Sequence, residues 1–305
     1  MLSGNKRRAI TPEYLEQAIL YLRKNKIKII SLDNLQEELE MKDRSRFVIF
    51  TFDDGYLDNF TYAYPIFKKL DVPFTIYITT DFPDNKAFLW WDALEILLLK
   101  NTRVFIKLKN KTLVFNCSTL KQKENTFVKI RSLIISFKKE ELLSCLNELF
   151  LTYRIDPYQN IKMTALNWEQ IQALSRDPLV TIGAHSVSHP VFSNLGESSL
   201  RHEILDSKHK IESYIGKKVK HFSYPFGTPN EIGQREVKVV QESSFSSATT
   251  AIPGNIFLKH KHYMYSLPRI PISGEREGRD AKYLSLFFNG TIACFGNKFK
   301  VFSKI

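Results

Sequence analysis

The first candidate for chemistry is a pair of neighbouring acids. The stretch TFDDGY places Asp53 and Asp54 side by side after the apolar run RFVIF, and Gly55 follows them. Two adjacent carboxylates repel each other, so the pair suggests that a cation lies nearby. The alternative is ordinary turn chemistry, because Asp-Gly is common in turns and an Asp often caps the next helix.

The second candidate is a pair of histidines. The stretch IGAHSVSHP places His185 and His189 four residues apart after the apolar run LVTIGA. This spacing can present two imidazoles to one metal ion, and a carboxylate completes a three-ligand set with open positions for water. One acid of the Asp pair would then bind the metal, and the other would stay ionised beside it as a general base for water. The residue types alone do not say which acid has which role.

Alternating strands and helices are predicted to position these residues. In α/β sheets and barrels, functional groups collect at the carboxyl ends of the strands. Apolar periodicity and capping residues predict a helix over about 12–25, followed by an α/β sheet or barrel with right-handed crossovers. The predicted strands are IKIIS, RFVIFTF, PFTIYITT, LVTIGA, KHFSYPF and FSSATTA, and the predicted helices among them are LDNLQEELE, NFTYAYPIFKKL, NWEQIQALSR and SSLRHEILDSKHKIESYIG.

Residues 86–165 interrupt this alternation. They contain the apolar stretch AFLWWDALEILLLK, a predicted β-hairpin RVFIKLKNKTLVFN and two charged amphipathic helices over about 119–150. Neither end has the composition of a linker. We therefore expect one domain over residues 1–305, with an insertion at about 86–165 that packs over the mouth of the barrel.

Composition limits the class of protein. Hydrophobic residues make up 43% of the chain and aromatic residues 13%, which favours a packed globular protein. The formal charge of +12 favours acidic partners such as anionic lipid or acidic glycan, with a solvated lysine-rich surface as the alternative. No nucleic-acid-binding signature accompanies the charge, so we expect no nucleic-acid partner. The absence of an apolar leader or membrane-spanning window predicts a cytoplasmic protein.

The cysteines indicate no special chemistry. Cys117, Cys145 and Cys294 are widely spaced and form no C-x-x-C motif. This pattern predicts neither a disulfide framework nor a zinc ribbon, and we expect buried or idle thiols.

Three motifs carry a resemblance to a known family. FTFDDGY, GAHSVSHP and FSYPFG, in this order and spacing, resemble the first three motifs of the polysaccharide deacetylases, carbohydrate esterase family 4, which share the NodB-homology or chitin deacetylase-like domain. The resemblance covers roughly residues 10–275. It implies a distorted (β/α) barrel, commonly with seven strands, that hydrolyses an N-acetyl group on an amino sugar.

The resemblance also implies roles for individual residues. Asp53 resembles the base that takes a proton from the attacking water. Asp54, His185 and His189 resemble the Asp-His-His metal set, which usually binds zinc. Phe226 occupies the position whose backbone N–H helps to hold the tetrahedral oxyanion.

The third motif contains further candidates and one departure from the family. Tyr224, Pro225 and Gly227 are candidate substrate contacts, and a simple turn with an aromatic packing residue is the alternative. Many family members carry an Arg two residues before the Pro to orient the base carboxylate, whereas this chain has Ser223. Arg269, in LPRI, is predicted to substitute for it, against an ordinary surface or structural Arg.

Two tryptophans offer an aromatic surface. Trp90 and Trp91 follow the predicted strand PFTIYITT. Because aromatic faces stack on sugar rings, they are candidate walls of a substrate site. Anchoring of the insertion is an equal alternative.

The proton donor for the leaving amine is not evident. The family usually takes it from a His on a distant strand, and no His occurs after His262. A branch with an N-terminally permuted motif, similar to exopolysaccharide deacetylases, takes this His from an N-terminal strand, and the segment from Arg7 to Leu35 resembles the stretch directly after that strand. The expected donor is therefore a His upstream of Met1, His260, His262 or another group.

These observations predict a metal-dependent deacetylase of an N-acetylated amino sugar, with zinc as the metal. The substrate would belong to a polysaccharide or a lipid-linked surface glycan, and the positive charge suggests peripheral contact with an anionic membrane at its cytoplasmic face. A catalytically weakened carbohydrate-binding protein on the same barrel and a related hydrolase of a non-sugar amide are the alternatives. The sequence identifies neither the glycan nor the oligomeric state.

Overall fold

Strands and helices alternate along most of the chain. The computed structural model describes residues 2, 5, 9–41, 45–108, 111–136, 139–272 and 281–289. The strands are β1 (Lys28–Ile29), β2 (Phe47–Val48), β3 (Phe50–Phe52), β4 (Phe74–Ile78), β5 (Arg103–Leu108), β6 (Lys111–Asn116), β7 (Val180–Ala184), β8 (His221–Ser223), β9 (Ser247–Pro253) and β10 (Leu267–Arg269). The helices are α1 (Pro12–Lys24), α2 (Leu35–Glu40), α3 (Tyr64–Lys69), α4 (Trp90–Lys100), α5 (Leu120–Ser136), α6 (Lys139–Thr152), α7 (Ile161–Thr164), α8 (Trp168–Arg176), α9 (Glu197–Ile215), α10 (Gln234–Glu242) and α11 (Ala281–Phe288).

A curled parallel sheet forms the centre of the fold. Six strands pair in the order β10-β9-β8-β7-β4-β3, and each neighbouring pair is parallel. β1 pairs in parallel with β2, and Ile49 alone separates β2 from β3, so this short pair adjoins the β3 edge of the sheet. Helices flank the sheet and make a half-barrel. The barrel class predicted from the sequence is confirmed.

The predicted elements match the structure closely where local signals are strong. The Thr11 hydroxyl accepts the Tyr14 N–H at 3.3 Å and caps α1, while Asn167 and Gln170 form a capping box at the start of α8. All five residues of β4 are buried, as expected for an inner parallel strand.

One predicted strand differs from the structure. The run RFVIFTF was expected to form one buried strand, yet it divides into β2 and β3 at Ile49, and most of its residues are only half-buried. This segment lies at the edge of the larger sheet, where a strand has a sheet neighbour on one side only. Its apolar sequence resembles that of an inner strand, so the sequence pattern alone could not reveal the edge.

The segment predicted as an insertion has its own hydrophobic cluster. The hairpin pairs β5 with β6 in the predicted antiparallel register, from Arg103 opposite Asn116 to Leu108 opposite Lys111. α4, α5 and α6 contribute buried apolar side chains to the cluster behind this hairpin, and Tyr56 and Phe226 of the barrel pack against it. The insertion therefore contacts the strand ends. That residues 1–305 form a single domain remains a prediction.

Two of the three cysteines lie within the described residues. Cys117 is buried and Cys145 is half-buried, and both are free thiols. Cys294 lies outside the described residues. No described helix is both long enough and apolar enough to cross a membrane.

A glycine makes room for the largest side chain inside the barrel. Tyr77 of β4 is fully buried, and its register partner on β7 is Gly183. A Cβ atom added at Gly183 would lie 2.4 Å from Cδ1 of Tyr77 and 3.0 Å from the carbonyl oxygen of His221. The Tyr77 ring can therefore pack against β7, the strand that leads to His185, only because residue 183 is a glycine.

We expect Gly183→Ala to destabilise the protein by about 1–3 kcal/mol, because the buried ring and the neighbouring backbone must move. Gly196→Ala is the matched control, since a Cβ atom there meets no atom within 4 Å. Urea unfolding of both variants measures the difference. Equal stability of the two variants would show that the Tyr77 ring can shift without cost.

Candidate metal centre and active site

Three potential metal ligands converge at the carboxyl ends of β3 and β7. Asp54 Oδ1 lies 3.4 Å from His185 Nε2 and 3.5 Å from His189 Nε2. One ligand atom from each of the three residues lies within 4.8 Å of the others. Ligand atoms that are each about 2.0–2.1 Å from a tetrahedral zinc ion are about 3.3–3.4 Å apart. The donor types and their spacing therefore fit a divalent metal such as zinc.

A backbone carbonyl fixes the orientation of the first histidine. His185 Nδ1 lies 2.7 Å from the carbonyl oxygen of Ser223. Because a carbonyl oxygen only accepts hydrogen bonds, Nδ1 carries the hydrogen and Nε2 presents its lone pair to the side of Asp54. Burial lowers the pKa of His185. The imidazole is therefore neutral, which is the form that binds a metal.

The turns that carry these ligands adopt unusual backbone conformations. Asp54, Ser186 and His189 have φ values of 73°, 69° and 54°, in the left-handed region. The end of β4 holds both turns, because Thr79 N–H donates to the Asp54 carbonyl at 3.1 Å and Thr80 N–H donates to the Ser186 carbonyl at 3.2 Å. A strained backbone conformation persists only where surrounding contacts hold it. Here the hydrogen bonds from Thr79 and Thr80 provide such contacts.

The other acid of the pair is held by an arginine from the far edge of the sheet. Arg269 Nη1 donates to Asp53 Oδ1 at 2.7 Å and Nη2 donates to Oδ2 at 2.8 Å. Arg269 also donates to the Thr250 carbonyl at 2.8 Å and to the Ser223 hydroxyl at 3.1 Å. The structure thus brings Arg269 to Asp53 as the sequence predicted, and the small Ser223 side chain contacts the guanidinium. That Arg269 orients a catalytic base remains a prediction.

Electrostatics keep Asp53 ionised. Burial would raise the pKa of the Asp53 carboxyl, but the Arg269 charge and its hydrogen bonds hold this pKa well below its usual value. Burial would likewise lower the pKa of Arg269, but the Asp53 charge raises it. Each Asp53 oxygen has a second lone pair beyond the one that Arg269 occupies. Asp53 can therefore still accept a proton.

The YPFG turn lies beside the candidate metal ligands. Phe226 and Gly227 have φ values of 59° and 63°, and the Phe226 ring centre lies 4.9 Å from that of His189. The Phe226 N–H donates no hydrogen bond to another described residue. A Cβ atom at Gly227 would lie 2.7 Å from Ala251 N, so only glycine fits the turn. The predicted oxyanion role of Phe226 remains a prediction.

Three predicted substrate contacts are buried instead. Tyr224 is 1% exposed, lies in the main hydrophobic cluster and donates its hydroxyl to the Tyr265 carbonyl at 2.9 Å. Pro225 and Gly227 are also buried. Their burial favours the alternative, in which these residues shape the turn that presents Phe226.

Burial favours one of the two interpretations of the tryptophans. Trp90 and Trp91 are each 5% exposed. Trp91 donates its indole N–H to the Tyr56 hydroxyl at 2.9 Å, and its ring centre lies 5.7 Å from that of His189. This packing favours anchoring of the insertion, and the role of the tryptophans as walls of a substrate site remains a prediction.

Sequence comparison decides the family. A family model described as polysaccharide deacetylase matches residues 40–241. The chain belongs to the polysaccharide deacetylase family. A search of curated proteins gave no significant match.

Solved structures support the deacetylase fold. The chain is similar to the Streptococcus pyogenes deacetylase PplD, determined in complex with acetate, at 14% identity and a TM-score of 0.60, over 92% of this chain and 87% of that one. It is similar to IcaB from Ammonifex degensii at 15% identity and a TM-score of 0.55, over 90% of both chains. A de-N-acetylase from Aggregatibacter actinomycetemcomitans gives 14% identity and a TM-score of 0.56, over 91% of this chain and 90% of that one.

Sequence reasoning missed one acidic residue of this deacetylase-family site. Glu203 of α9 is 2% exposed, and its Oε2 accepts the N–H groups of Val187 and Ser188 at 2.9 and 2.8 Å. Its Oε1 accepts the Ser188 hydroxyl at 2.6 Å. Glu203 therefore holds the loop between the two histidines. The sequence feature that could have identified Glu203 was its position on the apolar stripe of α9, beside Leu200 and Ile204.

The two histidines predicted as proton donors lie on the connection between β9 and β10. His260 is 1% exposed, and its Nδ1 accepts the Phe257 N–H at 2.8 Å. Burial lowers the pKa of His260, so its ring favours the neutral form, which disfavours proton donation from it. His262 is exposed. The identity of the donor remains open.

We expect Glu203→Gln to weaken zinc binding by about 10–100-fold, because the loop between the ligands loses its ionised acceptor. Glu212→Gln is the matched control, since Glu212 lies on the same helix and accepts the Val219 N–H at 2.9 Å at a different loop. Competition with a zinc chelator measures both affinities. Unchanged zinc affinity with lower thermal stability would assign Glu203 to the fold alone.

Proposed function

We propose that this protein is a metal-dependent N-deacetylase that hydrolyses the acetamide of an amino sugar. The observation that carries the proposal is the Asp54, His185 and His189 set beside the Asp53–Arg269 ion pair, at strand ends of a polysaccharide deacetylase fold. The arrangement combines metal ligands with an ionised carboxylate that lies outside the ligand set. Metal-assisted amide hydrolysis by activated water uses both.

The proposed metal is zinc, held by Asp54, His185 and His189. When bound, it would supply positive charge that polarises the acetamide carbonyl and lowers the pKa of a water molecule. Glu203 and the Ser223 carbonyl would keep the two imidazoles in position. These contacts restrict the motion of both ligands.

Asp53 is the proposed general base. Its low pKa keeps it in the form that accepts a proton, although a low pKa also limits its strength as a base. Its advantage is orientation, because the two parallel hydrogen bonds from Arg269 fix the plane of the carboxylate. The Phe226 N–H would donate to the acetamide oxygen as that oxygen becomes negative.

The proposed substrate is an N-acetylated glycan or a lipid-linked sugar. The fold of this chain resembles that of a protein described as a de-N-acetylase, which supports removal of an N-linked acetyl group. The leaving amine needs a proton, and the candidates for its donor within the given sequence are His260, His262 or another group. Location at the cytoplasmic face of a membrane also remains a proposal.

We expect Asp53→Asn to reduce acetate release from N-acetylated chito-oligosaccharides by at least about 100-fold while zinc binding persists, because the base is lost and the ligands remain. Asp54→Asn should instead reduce zinc affinity. Acetate assay and metal analysis of the same samples separate the two effects.

The wild-type protein serves as the reference in this experiment. A zinc-loaded wild type that binds acetylated glycans and releases no acetate from any of them would favour the carbohydrate-binding alternative. Release of acetate only from non-sugar acetamides would favour the other hydrolase.

We expect Arg269→Lys to lower kcat by about 10–100-fold with little change in KM, because Lys keeps the charge but cannot form the bidentate pair. Arg201→Lys is the control, since Arg201 forms ion pairs with Glu197 and Glu242 on the protein surface. Steady-state kinetics with the same oligosaccharides measure both variants. Full activity of Arg269→Lys would show that charge alone suffices.

A further inference from the structure

The positive charge of the chain is concentrated in one part of the insertion. Residues 99–131 contain nine lysines and arginines against one acid, Glu124, which is a net of +8 out of the chain's +12. This range covers the β5–β6 hairpin and most of α5. This part of the insertion therefore attracts anionic partners.

The hairpin also exposes an apolar pair. Phe105 and Val114 are cross-strand partners on its outward face, and they are 45% and 49% exposed. The inward neighbours Val104 and Ile106 are buried in the cluster of the insertion. The inward face of the hairpin thus packs into the cluster of the insertion, whereas Phe105 and Val114 do not belong to that cluster.

Basic side chains flank the apolar pair. The Arg103 guanidinium lies 5.4 Å from the centre of the Phe105 ring. The Lys107 side chain is 72% exposed, and its Nζ lies 3.5 Å from Oε1 of the exposed Glu148. Both residues share the outward face of β5 with Phe105, because alternate residues of a strand point to the same side.

We propose that the outward face of the β5–β6 hairpin docks on an anionic lipid membrane. Phe105 and Val114 would enter the boundary between headgroups and acyl chains, while Arg103 and Lys107 remain at the level of the anionic headgroups. A nucleic acid or an acidic glycan would match the charge but offers no acyl layer for the Phe105–Val114 pair. The combination of both features therefore favours a lipid surface.

The helices that precede and follow the hairpin both contact residues of the candidate active site. α4, which precedes it, places the Trp91 ring beside His189. α5, which follows it, places the Arg131 guanidinium 6.0 Å from the centre of the Phe226 ring. A docked hairpin would hold the candidate active site near the membrane, where a lipid-linked or membrane-proximal glycan lies. The docking itself does not depend on the proposed hydrolysis.

Vesicle co-sedimentation tests the docking with the full chain. We expect at least about tenfold stronger binding to vesicles of phosphatidylcholine with 30% phosphatidylglycerol than to pure phosphatidylcholine, and weaker binding at high salt. Equal or absent binding to the two vesicle types would overturn the proposal.

Two double variants test the face itself. Arg103→Gln with Lys107→Gln should reduce binding about tenfold or more, while Lys218→Gln with Lys238→Gln, an equal charge change at exposed sites, should not. Phe105→Ser with Val114→Thr should also reduce binding, with exposed Leu20→Ser as its control. Circular dichroism and thermal unfolding exclude loss of folding as the cause.

A soluble polyanion distinguishes charge from lipid recognition. Polyglutamate should compete weakly with the vesicles, and its binding should not depend on Phe105 and Val114. Polyglutamate binding as strong as vesicle binding, with no effect of Phe105→Ser on either, would overturn the lipid assignment in favour of a general polyanion surface.

Discussion

The ion pair between Asp53 and Arg269 joins the two edges of the half-barrel. Asp53 follows β3 and Arg269 ends β10, which are the first and last strands in the order of the six-stranded sheet. No hydrogen-bonded strand pairing closes that gap among the described residues, so the guanidinium links the edges at the carboxyl end. Desolvation of such a pair is offset by its bidentate geometry and by the hydrogen bonds to Thr250 and Ser223. The same contact that closes the barrel keeps Asp53 ionised.

The metal-ligand set depends on that closure. Ser223 contacts Arg269 through its hydroxyl and His185 through its carbonyl, so one residue of β8 connects the ion pair to the ligand set. On the outer side, Glu203 holds the loop between the two histidines. The candidate site is thus held by contacts inside the barrel and by a flanking helix. These contacts explain how Asp53 and Asp54 can stay adjacent in a stable fold.

The sequence predicted the features that depend on short segments. Asp53–Asp54 and His185-x3-His189 each lie beside a strand that its own apolar run identifies, and strand ends of one sheet meet at one edge. Arg269 could be proposed because Ser223 occupies the position at which many family members carry an Arg. Burial of Trp91 and Tyr224 could not be predicted, since it depends on packing between distant segments. Glu203 was missed for the same reason, because its partners lie on a different element.

The separate hydrophobic cluster of the insertion has an evolutionary consequence. The side chains behind the hairpin pack mainly with one another, and they contact the barrel through residues such as Tyr56 and Phe226. Substitutions on the outward face of the hairpin can therefore accumulate without disturbing the strand ends that carry Asp54 and His185. Such an arrangement separates sequence change on the outward face from the candidate site.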